Sequence, residues 1–591
     1  MKKITVISLL VVLTFSLFVS PRSARAAGNT YYVATNGSDS ASGSQGSPWK
    51  TIQKAANVAR AGDKVFVRGG TYKEKVIVQN SGSAGSPIVF SAYPGEKPVI
   101  DANGISMQNY FEGGFTIVGK NYIELNGFRI INVTKGFGIV CASSDYCVIR
   151  NNQTHNTLMS GIATRNANHV TIDHNDVSLA NNDGEQEMVT ISGSAFVTVT
   201  NNVVHDGGPG SNGGEGIGVK DGSHDVVVRN NEEYNSSRIG IYVDAYYGGG
   251  YNITVDGNKV HNNKGSGIAV EAEKSGNGLN NILIINNVVY QNGRSGIILG
   301  DWGSGTLDDI AIVNNTVYKN GIGSGHGGIG LWSDRATDVI VRNNLVSLNE
   351  AYSIEVQGTP LSETTISHNF FNGFRNQPNE TRGSNYVDGD PRFVNASAAD
   401  FSLLPASSAI DAGTATNAPN HDLADAPRPN GTAHDIGAFE FTGDVPKPES
   451  FFTNNFNASF SGWGKIGNVT WNAAAPIIGA HSVRLKGNAS MARAISTQGY
   501  SSVTVVIHLG AKSYESLEQL KLSWWDGSAW HVLTNIKNSA ARENGRLNKV
   551  QFKLPAAAAD NPDFKIRIQQ LNADANDFGY VDEVQLLGVP K

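Results

Sequence analysis

The chain has 591 residues, enough for two or three ordinary domains, although stacked repeats can absorb several hundred residues as one unit. Glycine, at 67 residues, is well above its usual share and charged residues, at 17%, are below theirs, which favours turn-rich β architecture over helix bundles. A formal net charge of −6 and a pI near 6.1 give no basic surface for nucleic acid or an anionic membrane, so affinity for an acidic ligand must come from a local patch.

Lys2 and Lys3, the apolar run Ile7 to Val19 and the small-residue pattern Ala24-Arg25-Ala26 read as a secretory signal over residues 1–27. The expected mature protein is therefore secreted and extracellular. No later run has the ~18 consecutive apolar residues of a membrane span, so no membrane partner is expected. TYYVATNGSD then reads as a strand and turn, and Pro48 to Ala61 as a short helix with Ile52, Ala55, Ala56 and Ala59 on one face. Such a helix would cap one end of a solenoid core. The segments GDKVFVRGGTYKEKVIV and SPIVFSAYPGEKPVIDA follow as short strands broken by Gly and Pro turns.

The repeat is clearest in asparagine. Asn152, Asn175, Asn202, Asn231, Asn258, Asn287, Asn315, Asn344 and Asn369 recur every 23 to 29 residues or so, each between apolar strand residues. Residues of this kind at a coil corner can stack their amides into a ladder, and their backbone tolerates the left-handed bend. Each coil buries its apolar face only against its neighbours, so the pattern predicts a parallel β-helix over residues 28–442. Cys141 and Cys147 fall on one coil, where they form either a disulfide or two buried small side chains. His205 and His261 lack the spacing partners of a zinc site and read as corner residues.

Beyond Asp390 the repeat breaks. Asp411, His434 and Asp435 read there as turn and capping residues, and residues 443–450 as a Pro-containing linker. From Phe451 to the end, alternating strands such as SVTVVIHLG predict an antiparallel β-sandwich over residues 451–591, with Asp526-Gly527 as a hairpin turn. Trp463, Trp471, Trp524, Trp525 and Trp530 lie here. The successive pair Trp524 and Trp525 must face opposite sides, so at most one of the two is exposed to a ligand.

Four runs, GIGVKDG, GIYVDAY, GIAVEAE and GIILGDW, carry the chemistry. Aligned on Gly-Ile, they place Lys220, Asp244, Glu271 and Gly300 in one outward column, about 4.8 Å from coil to coil, that we expect to face solvent. Neighbouring coils extend it with Ala142, Arg165 and Ser192 on one side and Trp332 and Gln357 on the other. A parallel column holds Val140, Ala163, Thr190, Gly218, Tyr242, Ala269, Ile298, Gly330 and Glu355. Glu187 and Glu215 precede the strands, and Asp221 and Asp301 follow them. A groove along such a sheet suits an extended polysaccharide.

Two reactions compete for these residues. In β-elimination a base removes the C5 proton of a uronate while a cation stabilises the enolate-like intermediate. Lys220 is the candidate base, yet Asp244 beside it should hold it protonated unless Ca²⁺ sits with Glu215, Asp221, Asp244, Glu271 and Asp301. In glycoside hydrolysis, Asp244 and Glu271 on adjacent coils would form the carboxyl pair, about 5 Å apart as a retaining mechanism needs. Arg165, Arg238, Arg294 and Tyr242 are candidate substrate contacts. Trp332 either stacks a sugar further along or packs at an edge. A third reading is a non-catalytic glycan-binding surface protein. No oligomer signal is present, so a monomer is expected.

Several stretches carry a resemblance to known families. Tyr31 to Tyr72 resembles the start of secreted right-handed parallel β-helix proteins, family nine pectate lyases included, although their cluster of closely spaced aspartates is absent. The stretch GEGIGVKDGSHDVVVRNN resembles the calcium-ligand and lysine-base segment of polysaccharide lyase family six, which implies Glu215 as a metal ligand and Lys220 as the base. The chain departs from that pattern at Asp244, where the family has an arginine acid, and at Gly213, where it has a second acidic ligand. The ending resembles jelly-roll carbohydrate-binding modules, which implies sugar stacking on exposed aromatic rings.

Overall fold

The computed structural model describes residues 28–210, 212–300, 303–443, 449–472, 476–515, 517–537 and 545–590. The expected signal peptide, the centre of the linker and Asp301 lie outside the described residues. The described chain forms two compact units: Met1–Asp388 with Thr416–Asp425, and Gly389–Ala415 with Ala426–Lys591.

The first unit is a solenoid of three parallel sheets, with 13, 11 and 13 strands, and successive coils contribute a strand to each. The 11-stranded sheet carries the site. Seven of its strands are labelled here: Ile162–Arg165 (β1), Val189–Ser192 (β2), Ile217–Lys220 (β3), Ile241–Asp244 (β4), Ile268–Glu271 (β5), Ile297–Leu299 (β6) and Ile329–Leu331 (β7). Their first residues pair in register from coil to coil and are buried, forming one apolar column inside the solenoid. Apolar residues at alternate positions thus point inward, and a one-residue slip would turn the whole column to the outside. A helix, α1 (Ile52–Val58), covers the first coils with Ile52, Ala55 and Ala56. It is half as long as the sequence suggests. Asp39 holds Lys50 and Thr51 extended, and Glu74 accepts from the Ile52 and Gln53 amides at 2.9 Å, so the helix begins only at Ile52.

The asparagine ladder is present in full, and all nine side chains are buried. At its centre the Asn231 amide group donates to Asn258 Oδ1 at 3.0 Å and to the Val199 carbonyl at 2.8 Å. The Asn231 backbone N–H reaches the same Asn258 oxygen at 3.0 Å. One expectation needs correcting. The left-handed bend is made by the residue before each ladder asparagine, from Asn151 to His368, at φ between 54° and 64°. The ladder residue must aim inward to satisfy buried carbonyls, so its neighbour takes the turn. A second ladder, Asn263, Asn292, Asn320 and Asn349, runs along another corner and escaped the sequence reading. It ends on the buried Glu233, whose Oε2 accepts from the Asn263 amide at 2.7 Å. Cys141 and Cys147 form a disulfide, fully buried in the solenoid core.

The second unit contains nine antiparallel strands hydrogen-bonded into one continuous network. Ser482–Ala494 pairs with Phe578–Pro590 through Val483 to Lys486 and with Lys565–Leu571 through Ala489 to Ala494. One strand thus serves two neighbours along the same edge. The enclosed core includes Leu485, Leu520, Ile566 and Trp524, while Trp525 is half-buried on the opposite side of its strand. Asp411 accepts from the Thr432 and Ala433 amides at 2.7 and 2.8 Å, and Asp435 accepts from the Asp411 and Phe441 amides at 2.7 and 2.6 Å. Both act as turn caps.

Candidate active site

Both outward columns have the expected register. Arg165 pairs with Ser192, Ser192 with Lys220, and Asp244 with Glu271. The β3–β4 pairing runs through Val219 and Val243, so Lys220 and Asp244 follow side by side. The expectation of a solvent-facing column is corrected by burial, since Asp244 and Glu271 are only 4% and 3% exposed. Gly303 lies directly on Glu271, so close that a Cβ there would stand 1.9 Å from the Glu271 Oε1 atom.

What stays open is a cleft of about 480 Å³ over β3 and β4, lined by Glu187, Asn212, Glu215, Lys220, Asp221, Arg238, Tyr242, Asp244, Tyr246, Tyr247 and Glu273. On its floor, Lys220 Nζ donates to Glu187 Oε1 at 2.7 Å, and Glu187 Oε2 accepts from the Thr190 hydroxyl at 2.7 Å. Arg238 Nε lies 3.2 Å from Glu215 Oε1, and Arg238 Nη1 donates to the Asn212 carbonyl at 2.6 Å. The Tyr242 hydroxyl donates to Glu273. Asp221 Oδ2 accepts from the Ser192 hydroxyl at 2.8 Å. Asp221 Oδ1 and Asp244 Oδ1 are buried atoms without hydrogen-bond partners.

These contacts set the protonation states. Burial alone would lower the Lys220 ammonium, but the charge and hydrogen bond of Glu187, with Asp221 and Asp244 behind them, raise it well above the ordinary lysine value. Burial would raise Glu187, yet Lys220, Thr190 and Arg165 together hold it below the usual carboxylate range. Burial pushes Asp244 up to about 8; Glu273, Asp221 and Glu187 add to the effect and Lys220 opposes it. Burial, then the charge of Glu187, lift Glu215 to about 7 against the pull of Arg238. The cleft therefore offers one protonated carboxyl, one carboxyl poised at neutrality and two cations within a short span.

The cleft brings together Glu215, Lys220, Asp221, Arg238, Tyr242 and Asp244 from the sequence reading, but not the other candidates. Glu271 is roofed by Gly303. Arg165 donates to Gln186 at 2.5 Å and lies over the Tyr110 and Phe137 rings. Arg294 Nε lies 3.1 Å from His326 Nε2, and His326 stacks on Trp332. The Trp332 indole donates to Glu355 at 2.8 Å and its ring packs on Ile298, which favours the edge-packing alternative for that residue. Asn212, Tyr246, Tyr247 and Glu273 are new. Glu273 follows Glu271 by two, the strand alternation that could have flagged it; the others lie on loops, where no periodicity operates.

Of the five expected calcium ligands the cleft gathers Glu215, Asp221 and Asp244, the last two each with an unpartnered Oδ1 atom. Among the described residues no three His, Cys, Asp or Glu side chains are grouped to hold a metal ion. Of the proposed ligands, Glu215 faces Arg238, Asp221 accepts from Ser192, Glu271 lies outside the cleft and Asp301 lies outside the described residues. A calcium ion needs six to eight converging oxygens.

Residues 31–195 match the family model described as Pel9A-like, right handed beta helix region, and residues 184–317 match the right handed beta helix region model. This part of the chain is a right-handed parallel β-helix with a pectate-lyase-like fold. The uncharacterized protein YwoF of Bacillus subtilis (strain 168) is 29% identical over 352 residues, covering 49% of this chain and 74% of that protein. Pectate lyase PEL9 of Emericella nidulans is 31% identical over 149 residues, 23% of this chain and 36% of its own. Among solved structures, XylC in complex with xylose gives a TM-score of 0.49 at 15% identity over 70% of this chain and 99% of that one. Pectate lyase Pel9A gives 0.44 at 18% identity over 70% and 97%.

Proposed function

We propose that the protein is a secreted, monomeric enzyme that cleaves a polysaccharide laid across the β3–β4 cleft, and that the reaction is β-elimination at a uronate residue. One observation carries the reading. Asp244 presents a desolvated carboxyl, protonated at neutral pH, with an unpartnered oxygen in a cleft that also holds Lys220 and Arg238. Cleavage of a glycosidic bond needs a proton for the departing oxygen, and a carboxyl raised to about 8 can hold one ready.

The other roles follow from the same contacts. Lys220 is unsuited to be the base, because Glu187 stabilises its proton. One ammonium proton goes to Glu187 and two remain to hold a substrate carboxylate. Glu215, poised at about 7, takes the C5 proton. The C4–O bond then breaks, a C4–C5 double bond forms, and Asp244 protonates the leaving oxygen. The 31% identity to pectate lyase PEL9 over 149 residues supports a uronate substrate. The carboxyl pair Asp244 and Glu271 is a poor basis for hydrolysis, since Glu271 does not line the cleft.

The test is incubation of the purified chain with uronate polymers and with neutral glucans, following absorbance near 232 nm and reducing ends. Rising absorbance that Asp244→Asn abolishes is the expected result. New reducing ends without absorbance would replace elimination by hydrolysis, and no cleavage of any polymer would leave a glycan-binding protein. Activity that a chelator removes and calcium restores would return Asp221 and Asp244 to a metal-ligand role.

A further inference from the structure

The cleft has an aromatic wall that none of the roles above uses. Directly after β4 the chain runs Ala245-Tyr246-Tyr247 into Gly248, Gly249 and Gly250. Tyr247 is 78% exposed, the most exposed large hydrophobic side chain among the described residues, and Tyr246 is 42% exposed. Both line the cleft. An isolated exposed tyrosine needs no explanation, but two adjacent rings on the rim of a polar cleft do.

The wall is anchored. The Asn277 amide donates to the Tyr246 carbonyl at 2.6 Å and to that of Ala245 at 3.3 Å, which ties the loop to the next coil. The two rings meet edge to face, 4.7 Å between centroids at 77°. At 78% exposure the Tyr247 ring remains open to a ligand beside its partner. One cation stands beside the pair and a second lines the same cleft. The Lys274 ammonium lies 5.8 Å from the Tyr246 ring centre, is exposed, and enters no ion pair among the described residues. Arg238 belongs to the same cleft lining, with its remaining Nη2 nitrogen uncommitted by its contacts to Glu215 and Asn212.

We propose that Tyr246 and Tyr247 form a sugar-stacking subsite that, with Arg238 and Lys274, binds an acidic pyranose ring of the glycan. The C–H face of a pyranose packs on an exposed aromatic ring, and a carboxylate on the same ring meets cations at its edge. Tyrosine supplies the apolar platform, and the cations reject neutral sugars by comparison. This rests on the glycan-cleaving reading for its biological sense, but it is a statement about binding and can be measured without turnover.

The experiment uses the full chain carrying Asp244→Asn, titrated calorimetrically with trigalacturonate and trimannuronate, and with cellotriose as the neutral control. At least one uronate trimer is expected to bind at least tenfold more tightly than cellotriose. Tyr247→Ala in that background should weaken it tenfold or more, and Tyr247→Phe should keep it within threefold. Because Tyr247 is exposed, its loss should leave the thermal midpoint unchanged, which separates lost binding from lost folding. Equal affinity for cellotriose, no binding of either uronate trimer, or indifference to Tyr247→Ala would each overturn the subsite. Binding that depends on Tyr247 in a chain whose wild type cleaves nothing would keep the subsite and sink the enzymatic reading.

Discussion

Asp244 destabilises the fold for the same reason that it suits the reaction. Its carboxyl is buried without a full set of partners, and leaving such a group unsatisfied costs about 1–3 kcal/mol. Asp244→Asn removes the cost of keeping that carboxyl protonated at neutral pH and should raise the unfolding free energy measured in urea by about 1–3 kcal/mol, while lowering kcat by about 100-fold or more. The pH profile follows from the two carboxyls. Asp244 must keep its proton, so kcat/KM should fall above about 8. Glu215 must lose its own, so the profile should fall below about 7, and Glu215→Gln should remove that acidic limb along with most of the rate. Lys220 offers a separate test. Lys220→Met strands the buried Glu187 charge and should destabilise by about 3 kcal/mol, whereas Lys220→Met with Glu187→Gln removes both charges and should recover much of that loss in a denaturation curve.

Among the elements, the asparagine ladder and the disulfide divide the work of holding the coils. Each ladder amide satisfies a carbonyl in the preceding coil and the backbone N–H of its ladder partner, as Asn258 does for Val228 and Asn231. Asn258→Ala leaves these groups buried and unpaired and should cost on the order of 2–4 kcal/mol by chemical denaturation. The bridge between Cys141 and Cys147 closes a short loop, so reduction or Cys→Ala at both positions should cost only about 2 kcal/mol. The two ladders also explain what was legible at this scale. In the first, six of the nine members directly follow a turn asparagine, and those NN pairs stand out in the sequence. In the second only Asn263 follows another asparagine, the other three lie in QNG, KNG and LNE contexts without that doubling, and the ladder's last partner is a glutamate.

For the whole molecule, buried carboxyls make stability depend on pH in a stated direction. Glu215, Glu233 and Asp244 in the solenoid, and Asp435 in the second unit, are raised by burial to about 7, 8, 8 and 7. Each folded value lies above the unfolded one near 4, so the folded state holds protons that the unfolded chain has released. That contribution is fully present below about 4 and is lost as pH rises through 7 to 8. Glu187 has the opposite sign, since its lowered value gives stability above about 4.5 that is lost in acid. The thermal midpoint should accordingly be higher at pH 5.5 than at pH 8.5, and Glu233→Gln, which removes the group without touching the cleft, should reduce the difference.

The sequence alone determined the coil. The asparagine period and the Gly-Ile alignment set the register, because strand side chains alternate strictly and a slip would expose the apolar column. Both outward columns were legible for that reason, as was the opposed placement of Trp524 and Trp525. Tertiary structure alone decided which members of the column line the cleft. Gly303 closes over Glu271 whereas Asp244 lines the cleft, and Glu187, which precedes its strand, reaches Lys220 on the next coil. The Tyr246-Tyr247 wall comes from a loop with no periodicity. Burial and charge pairing depend on chain segments far apart in sequence, and these fix the protonation states that separate a structural carboxyl from a reactive one.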